Sequence, residues 1–139
     1  MAKVKKPAIK YSSAMLIDDN EIDNFINQKM IEGCNFAERV YVHTSSRSAL
    51  EFYNNLVCAD GIPDELFPSV IFLDINMPIM DGFQFLEEFE KIKPKQKGKL
   101  KVVMLTTSIN PSDMDISKKN KYVTAFLNKP LTEEHLDKI

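Results

Sequence analysis

Short apolar runs alternate with amphipathic stretches along this chain, and the alternation predicts five strands and five helices. The strands are predicted at Ser13 to Ile17, Arg39 to His43, Val70 to Leu73, Lys101 to Leu105 and Val123 to Leu127. The helices are predicted at Glu21 to Gly33, Ser46 to Ala59, Gly82 to Ile92, from Pro111 onward, and at Thr132 to Ile139. Strands that alternate with helices imply right-handed crossovers and a parallel sheet, so the fold class is α/β.

The first helix is predicted from its cap and its apolar spacing. Asn20 precedes it as a plausible N-cap, and apolar residues recur near helical spacing at Ile22, Phe25, Ile26 and Ile31. By contrast, the segment from 60 to 68 holds one Gly and two Pro residues, which indicates a loop.

The polarity of the strands suggests their order in the sheet. Strands one, three and four are almost continuous apolar runs, as expected where helices cover both faces of a parallel sheet. Strands two and five carry polar residues, which suits the edges. The doubly wound order 2-1-3-4-5 satisfies this pattern and predicts a flavodoxin-like domain, although other orders would satisfy it too.

Composition narrows the function classes without naming one. The chain has 139 residues with 18 basic and 20 acidic side chains, so it is sized for one domain and has no basic excess for nucleic acid. Its two cysteines, Cys34 and Cys58, form no close pair, which argues against a disulfide framework and suits a reducing compartment. We find no membrane span and no signal core, so a cytoplasmic location is expected.

Acidic residues follow two strands that the proposed order makes neighbours. Asp18 and Asp19 end the first strand, and Asp74 ends the third. Ligands of doubly wound sheets bind beyond the carboxyl ends of the strands, so the three carboxylates are expected in one crevice. Carboxylates this close repel one another, and a bound divalent cation would offset this repulsion. Oxygen ligands favour Mg²⁺, or a similar cation such as Mn²⁺.

Two further strand ends complete a site for a phosphoryl group. Thr106 ends the fourth strand, and Lys129 follows the fifth. A carboxylate can attack phosphorus and form an aspartyl phosphate, whose oxygens need positive charge and hydrogen-bond donors. Lys129 supplies charge and Thr106 a hydroxyl donor. Asp74 is the best candidate nucleophile because it stands alone at the end of a central strand.

Four segments together resemble the receiver domains of bacterial two-component response regulators, which are CheY-like. They are Leu16-Ile17-Asp18-Asp19-Asn20, Phe72-Leu73-Asp74-Ile75-Asn76-Met77-Pro78 with Met80-Asp81-Gly82, Val103-Met104-Leu105-Thr106, and Asn128-Lys129-Pro130. The resemblance covers residues 11–139 and leaves residues 1–10 as an N-terminal extension. It departs from the family in the residues before the fifth strand, 120–125, which lack the usual small residues. This departure leaves open how the fourth helix ends.

The resemblance implies a role for each site residue. Asp74 matches the phosphoacceptor, Asp19 and Asp74 match direct Mg²⁺ ligands with the backbone carbonyl of Asn76, and Asp18 matches an acid that acts through water. Thr106 matches the switch hydroxyl, Lys129 the lysine that pairs with phosphate, and Phe126 an aromatic that moves between exposed and buried rotamers. From the residues alone, a buried core aromatic is an equally good interpretation of Phe126. The bond from Lys129 to Pro130 is often cis in this family. Asn76 and Ser108 match positions that tune hydrolysis of the acyl phosphate.

The resemblance also implies partners. The phosphoryl group would come from a sensor histidine kinase or a phosphotransfer protein. It would change binding of an unidentified output protein through the face from the fourth to the fifth helix. The chain would catalyse only its own phosphorylation and dephosphorylation, so we do not expect an enzyme with an external substrate. Nucleic acid and membrane are not expected as direct partners, and the oligomeric state is open.

Two other functions of α/β domains each require a residue pattern that this chain lacks. An aspartyl phosphohydrolase would want a second acid two residues after its nucleophile, where this chain has Asn76. A flavodoxin would want a phosphate-binding loop after the first strand, where Asp18 and Asp19 would repel phosphate. Lysines at 91, 93, 95, 97, 99 and 101 form a basic run, which we interpret as a solvated loop.

Overall fold

The computed structural model describes residues 8–92, 100–107 and 109–139. The strands are β1 (Tyr11–Ile17), β2 (Ala37–His43), β3 (Val70–Asp74), β4 (Lys101–Thr106) and β5 (Val123–Asn128). The helices are α1 (Glu21–Gly33), α2 (Ser46–Cys58), α3 (Gly82–Lys91), α4 (Pro111–Lys118) and α5 (Glu133–Asp137). All predicted elements are therefore present, with differences at their ends.

The differences at the ends have local causes. β1 and β2 each begin two residues earlier than predicted, because Tyr11 and Ala37 pair in register across the strands. α5 is shorter than predicted: Thr132 is its N-cap, accepting the His135 N–H, and the helix ends at Asp137. A short 3-10 turn, Asp64–Leu66, lies within the predicted loop.

The five strands are parallel and follow the order β2-β1-β3-β4-β5, as predicted. Alternate residues of the central strands enter two cores. On one face Met15 and Ile17 join residues of α2 and α3, and on the other Ala14 and Leu16 join residues of α1 and α5. The strand order places β2 on one side of β1 and places β3, β4 and β5 on the other, so the order switches between β1 and β3. Ligands of this fold bind in the crevice beyond the carboxyl ends of the strands at this switch point.

The buried face of α1 is not its apolar stripe. Ile22 and Phe25 are 70% and 61% exposed, whereas Asn24 and Asn27 are buried beside Ile31. Asn24 donates through Nδ2 to the carbonyl of Asp18 at 2.8 Å, and Asn27 accepts the N–H of Leu131 through Oδ1 at 2.9 Å. The helix and its Asn20 cap are as predicted, but it turns this polar face inward because the two loops beside it need hydrogen-bond partners.

Tyr122 resolves how the chain leaves α4. Its ring is buried and meets the Phe89 ring edge-on, with 5.8 Å between centroids. Asn120 Oδ1 accepts the Tyr122 N–H at 2.8 Å and closes the turn into β5. The ring of Tyr122 thus occupies the position before β5 where the family usually has small residues. The β4–β5 pairing shifts register between Val102 and Val103.

The basic run lies largely outside the described residues, as do residues 1–7 of the predicted N-terminal extension and Ser108. Of the described lysines, Lys91 pairs with Glu88 at 3.0 Å and Lys101 Nζ lies 3.1 Å from the Tyr11 hydroxyl. Within the described part of the chain, no helix combines the length and apolar character needed to cross a membrane.

Candidate functional site

Three carboxylates meet at the carboxyl ends of β1 and β3. Asp18 and Asp19 follow β1, and Asp74 is the last residue of β3. One oxygen from each carboxylate lies within 4.8 Å of the other two. Asp18 and Asp74 are buried, whereas Asp19 is exposed. The structure thus brings together the three acids that the strand-end argument places in one crevice, with an opening on the Asp19 side.

The turn from β1 into α1 is held by side-chain hydrogen bonds. Asp18 Oδ1 accepts the N–H of Asn20 at 2.9 Å. Asn20 Oδ1 in turn accepts the N–H groups of Ile22 and Asp23, both at 3.0 Å, and so caps the helix. The first turn of α1 therefore sits at a defined position against the acids.

Asp74 is held by close packing between β3 and the start of α3. The Gly82 N–H donates to the carbonyl of Ile75 at 2.9 Å. A Cβ on Gly82 would lie 2.6 Å from the carbonyl oxygen of Asp74, closer than real Cβ contacts allow. Glycine at this position is what lets α3 begin directly against the strand that carries Asp74.

Lys129 reaches the acids from the end of β5. Its N–H donates to the carbonyl of Thr106 at 2.8 Å, and its bond to Pro130 is cis, as the resemblance implies. The ammonium Nζ lies 2.7 Å from Asp18 Oδ2, 3.0 Å from Asp23 Oδ2 and 3.3 Å from Asp74 Oδ1. One ammonium on a side chain that is 8% exposed therefore joins acids from the loop after β1, the first turn of α1 and the end of β3.

The acids and the lysine shift one another's protonation. Burial raises the pKa of the Asp74 carboxyl from its ordinary 3.8 to about 6; the charge of Asp18 adds to the rise and Lys129 opposes it. Burial alone would lower the pKa of the Lys129 ammonium, but hydrogen bonds to Asp18 and Asp23 outweigh it and raise the pKa above its usual range. The lysine thus opposes, without cancelling, the rise that burial and Asp18 cause in the pKa of Asp74.

The other predicted site residues lie around this cluster. Thr106 is buried at the end of β4, and its register partner on β5 is Asn128. Phe126 is half-buried on β5, pairs in register with Met104 and packs against the core formed with α2 and α3. Asn76 is exposed two residues after Asp74. The roles assigned to these residues stay predictions.

Sequence reasoning missed Asp23. An acid in the first turn of a helix is usually explained by its favourable interaction with the helix dipole. Asp23 therefore gives no reason to expect its contact with Lys129, which lies 106 positions away in the sequence. Its one sequence signal is its place in the first turn of the helix that follows Asp18 and Asp19, close to these acids along the chain. The contact itself depends on how α1 is rotated about its axis.

Comparisons with known proteins agree with this geometry. Residues 14–139 match the family described as the response regulator receiver domain. A crystal structure of a two-component response regulator from Cytophaga hutchinsonii is 32% identical, with 93% of each chain covered and a TM-score of 0.82.

Two curated relatives show the same likeness. Response regulator Rcp1 of Synechocystis is 27% identical over 83% of this chain and 74% of its own length. The probable methanogenesis regulatory protein FilR2 of Methanothrix harundinacea is 27% identical over 88% of this chain and 74% of its own length. The family match, the fold and the strand-end residues agree: this chain belongs to the response regulator receiver domain family of two-component signalling.

Proposed function

We propose that this receiver domain accepts a phosphoryl group on Asp74, with Mg²⁺ bound at the acidic cluster, and that the phosphoryl group changes the binding of an output protein. One observation carries the proposal: the carboxylates of Asp18, Asp19 and Asp74 converge within 4.8 Å, with Lys129 Nζ at 3.3 Å from Asp74. This arrangement combines a nucleophile, oxygen ligands for a cation and a fixed positive charge.

The donor set fits a hard divalent cation. The oxygens belong to carboxylates, which Mg²⁺ prefers, and the exposed side at Asp19 leaves room for the waters that Mg²⁺ retains. Burial and the charge of Asp18 raise the pKa of Asp74, and a bound cation would favour the ionised form of this carboxyl. Asp19 and Asp74 would bind the ion with the carbonyl of Asn76, and Asp18 through water. Bound there, the cation would supply charge neutralisation for the phosphoryl oxygens.

Asp74 would perform the chemistry. An oxygen of its carboxylate attacks the phosphorus of a phosphohistidine, a P–O bond forms, and the P–N bond breaks as the imidazole leaves with the electron pair. Lys129 offers N–H donors and positive charge to the transferred oxygens, and Thr106 offers its hydroxyl. The chain turns over no external substrate in this scheme, so the domain is a phosphoacceptor and not an enzyme in the ordinary sense.

The phosphoryl donor would be a sensor histidine kinase or a phosphotransfer protein. The exposed apolar residues Ile22 and Phe25 support a docking face on α1, since they lie within six residues of Asp19 and a donor must reach the same crevice. A donor that carries its phosphohistidine on an apolar helix would cover Ile22 and Phe25 with that helix. The phosphohistidine would then reach Asp74.

The output would be read on the face formed by α4, β5 and α5. Thr106 stands between the site and this face, because it ends β4, whose neighbour is β5. Phe126 is half-buried on β5 and can be biased between two packings if Thr106 moves toward a phosphoryl group. The affinity for the output protein would change with that bias.

Intact mass spectrometry tests the acceptor role. The protein is incubated with acetyl phosphate and Mg²⁺, and we expect a gain of one phosphoryl group in the parent and none in Asp74→Asn. Asp60→Asn, at an exposed acid, is the charge-matched control and should gain the group. An unchanged parent mass, or an equal gain in Asp74→Asn, would refute the proposal.

A further inference from the structure

Asp23 completes a set of three carboxylates around the Lys129 ammonium. An ammonium has three N–H donors, and Nζ of Lys129 lies within 3.3 Å of oxygens of Asp18, Asp23 and Asp74. Each donor can therefore point at a different carboxylate. The site's lysine is shared between the phosphoacceptor and an acid of α1.

The sharing is uneven. The contacts to Asp18 and Asp23, at 2.7 Å and 3.0 Å, are shorter than the 3.3 Å contact to Asp74. The lysine side chain is 8% exposed, so its charge is poorly screened by solvent. The ammonium is thus drawn toward the β1–α1 side of the crevice and away from the residue that would carry the phosphoryl group.

The position of Asp23 is set by the polar face of α1. The next residue, Asn24, bonds the carbonyl of Asp18 at 2.8 Å, and Asn27, one turn further, bonds the N–H of Leu131 at 2.9 Å. These contacts join α1 to the loop that carries Asp18 and to the loop that carries Lys129. The backbone of Asp23 is therefore held between these two loops.

We propose that Asp23 is a positioning residue that restrains Lys129 and thereby opposes phosphoryl binding at Asp74. The proposal rests on the proposed function. Two effects act in the same direction: Asp23 takes one N–H donor of the lysine, and its negative charge repels an incoming phosphoryl group. Because the Asp23 side chain is 29% exposed, solvent screens part of the repulsion, and we expect a graded effect on affinity.

Another account would make Asp23 only a helix-dipole acid. Glu21 distinguishes the two accounts, since it is the other acid in the first turn of α1 and is exposed. A role through the helix dipole would be shared by both acids, whereas restraint of Lys129 belongs to Asp23 alone. Glu21→Gln is therefore the matched control for Asp23→Asn.

The test is the affinity for beryllofluoride, a phosphoryl mimic, measured by fluorine NMR at saturating Mg²⁺. We expect Asp23→Asn to bind roughly three- to tenfold more tightly than the parent, as the loss of one partly screened charge pair implies. Glu21→Gln should match the parent, and Asp23→Glu should move the affinity back toward the parent. Equal or weaker binding by Asp23→Asn, or the same gain in Glu21→Gln, would overturn the proposal.

A second measurement needs no metal or phosphoryl mimic. A crystal structure of Asp23→Asn grown with a chelator should show Lys129 Nζ closer to Asp74 than 3.3 Å. An unmoved lysine would count against restraint. Thermal unfolding of Asp23→Asn is measured first. If this variant is unfolded, Asp23→Ser takes its place in both measurements.

Failure of this inference differs from failure of the proposed function. A parent that binds beryllofluoride while Asp23→Asn binds equally well would overturn the role of Asp23 and leave the acceptor role intact. A parent that binds none at all would overturn both.

Discussion

Asp74 is held in the folded protein at an electrostatic cost. Its side chain is 6% exposed, it faces Asp18 and Asp19, and its pKa is raised to about 6. The folded protein therefore holds a proton on this group more strongly than the unfolded chain does. Between about pH 4 and pH 6, the contribution of Asp74 to stability therefore falls as the pH rises, and its full cost is present above that window.

Replacing Asp74 by Asn should stabilise the protein at neutral pH when no divalent cation is present. The rise from 3.8 to about 6 corresponds to roughly 3 kcal/mol at pH 7, and the gain should nearly vanish at pH 4. Thermal unfolding in chelator at both pH values measures this. Asp60→Asn is the control and should change little; an Asp74→Asn variant no more stable than the parent at pH 7 would contradict the assignment.

Ile79 shows strain of a different kind. It is β-branched, fully exposed and has φ 69, a left-handed conformation that such residues rarely adopt. Ile79→Asn should raise the free energy of unfolding by about 1 kcal/mol, because Asn tolerates this conformation at lower cost. Denaturant unfolding tests it, with Ile109→Asn, at another exposed isoleucine, expected to give no such gain. Equal changes in the free energy of unfolding at both positions would show that backbone strain at Ile79 is not the cause of the gain.

At the scale of elements, the contact between β3 and α3 matters most for the site. Gly82→Ala should destabilise the protein by about 1–3 kcal/mol, because its Cβ would meet the Asp74 backbone and force α3 away. The same shift should weaken Mg²⁺ binding in a calorimetric titration. Gly33→Ala is the control: apart from the adjacent residues and the backbone of α1 itself, no described atom lies within 4 Å of that added Cβ, so stability should be unchanged or slightly higher. Normal Mg²⁺ affinity in Gly82→Ala would contradict the link to Asp74.

The sequence predicts elements and strand order well because both follow from local periodicity and from apolar runs such as β3. It also predicts which strand-end acids meet, since neighbouring parallel strands place their carboxyl ends together. It does not predict the rotation of α1. The apolar positions Ile22 and Phe25 suggest a buried stripe, whereas loop hydrogen bonds to Asn24 and Asn27 decide the orientation. Asp23 is missed for the same reason.

At the scale of the whole molecule, stability is unevenly distributed. β1, β3 and β4 lie in the middle of the sheet and are buried almost throughout, whereas α4 buries only Ser117 and leaves Ile116 47% exposed. Local opening costs least where few apolar side chains are buried. The face proposed for the output protein thus includes a helix that buries no apolar side chain, which a small bias from the site can reorganise.

Hydrogen exchange can measure this difference. Amides of α4 should exchange at least about a hundredfold faster than those of β1 and β3, and beryllofluoride with Mg²⁺ should slow exchange in α4 and β5. The central strands should change little, because their buried amides are already protected by the full stability of the domain. Asp74→Asn treated identically should show no change. Slowing confined to the loops after β1 and β3 would mean that the site is filled without reaching the α4–β5 face, and the proposed switching route would be wrong.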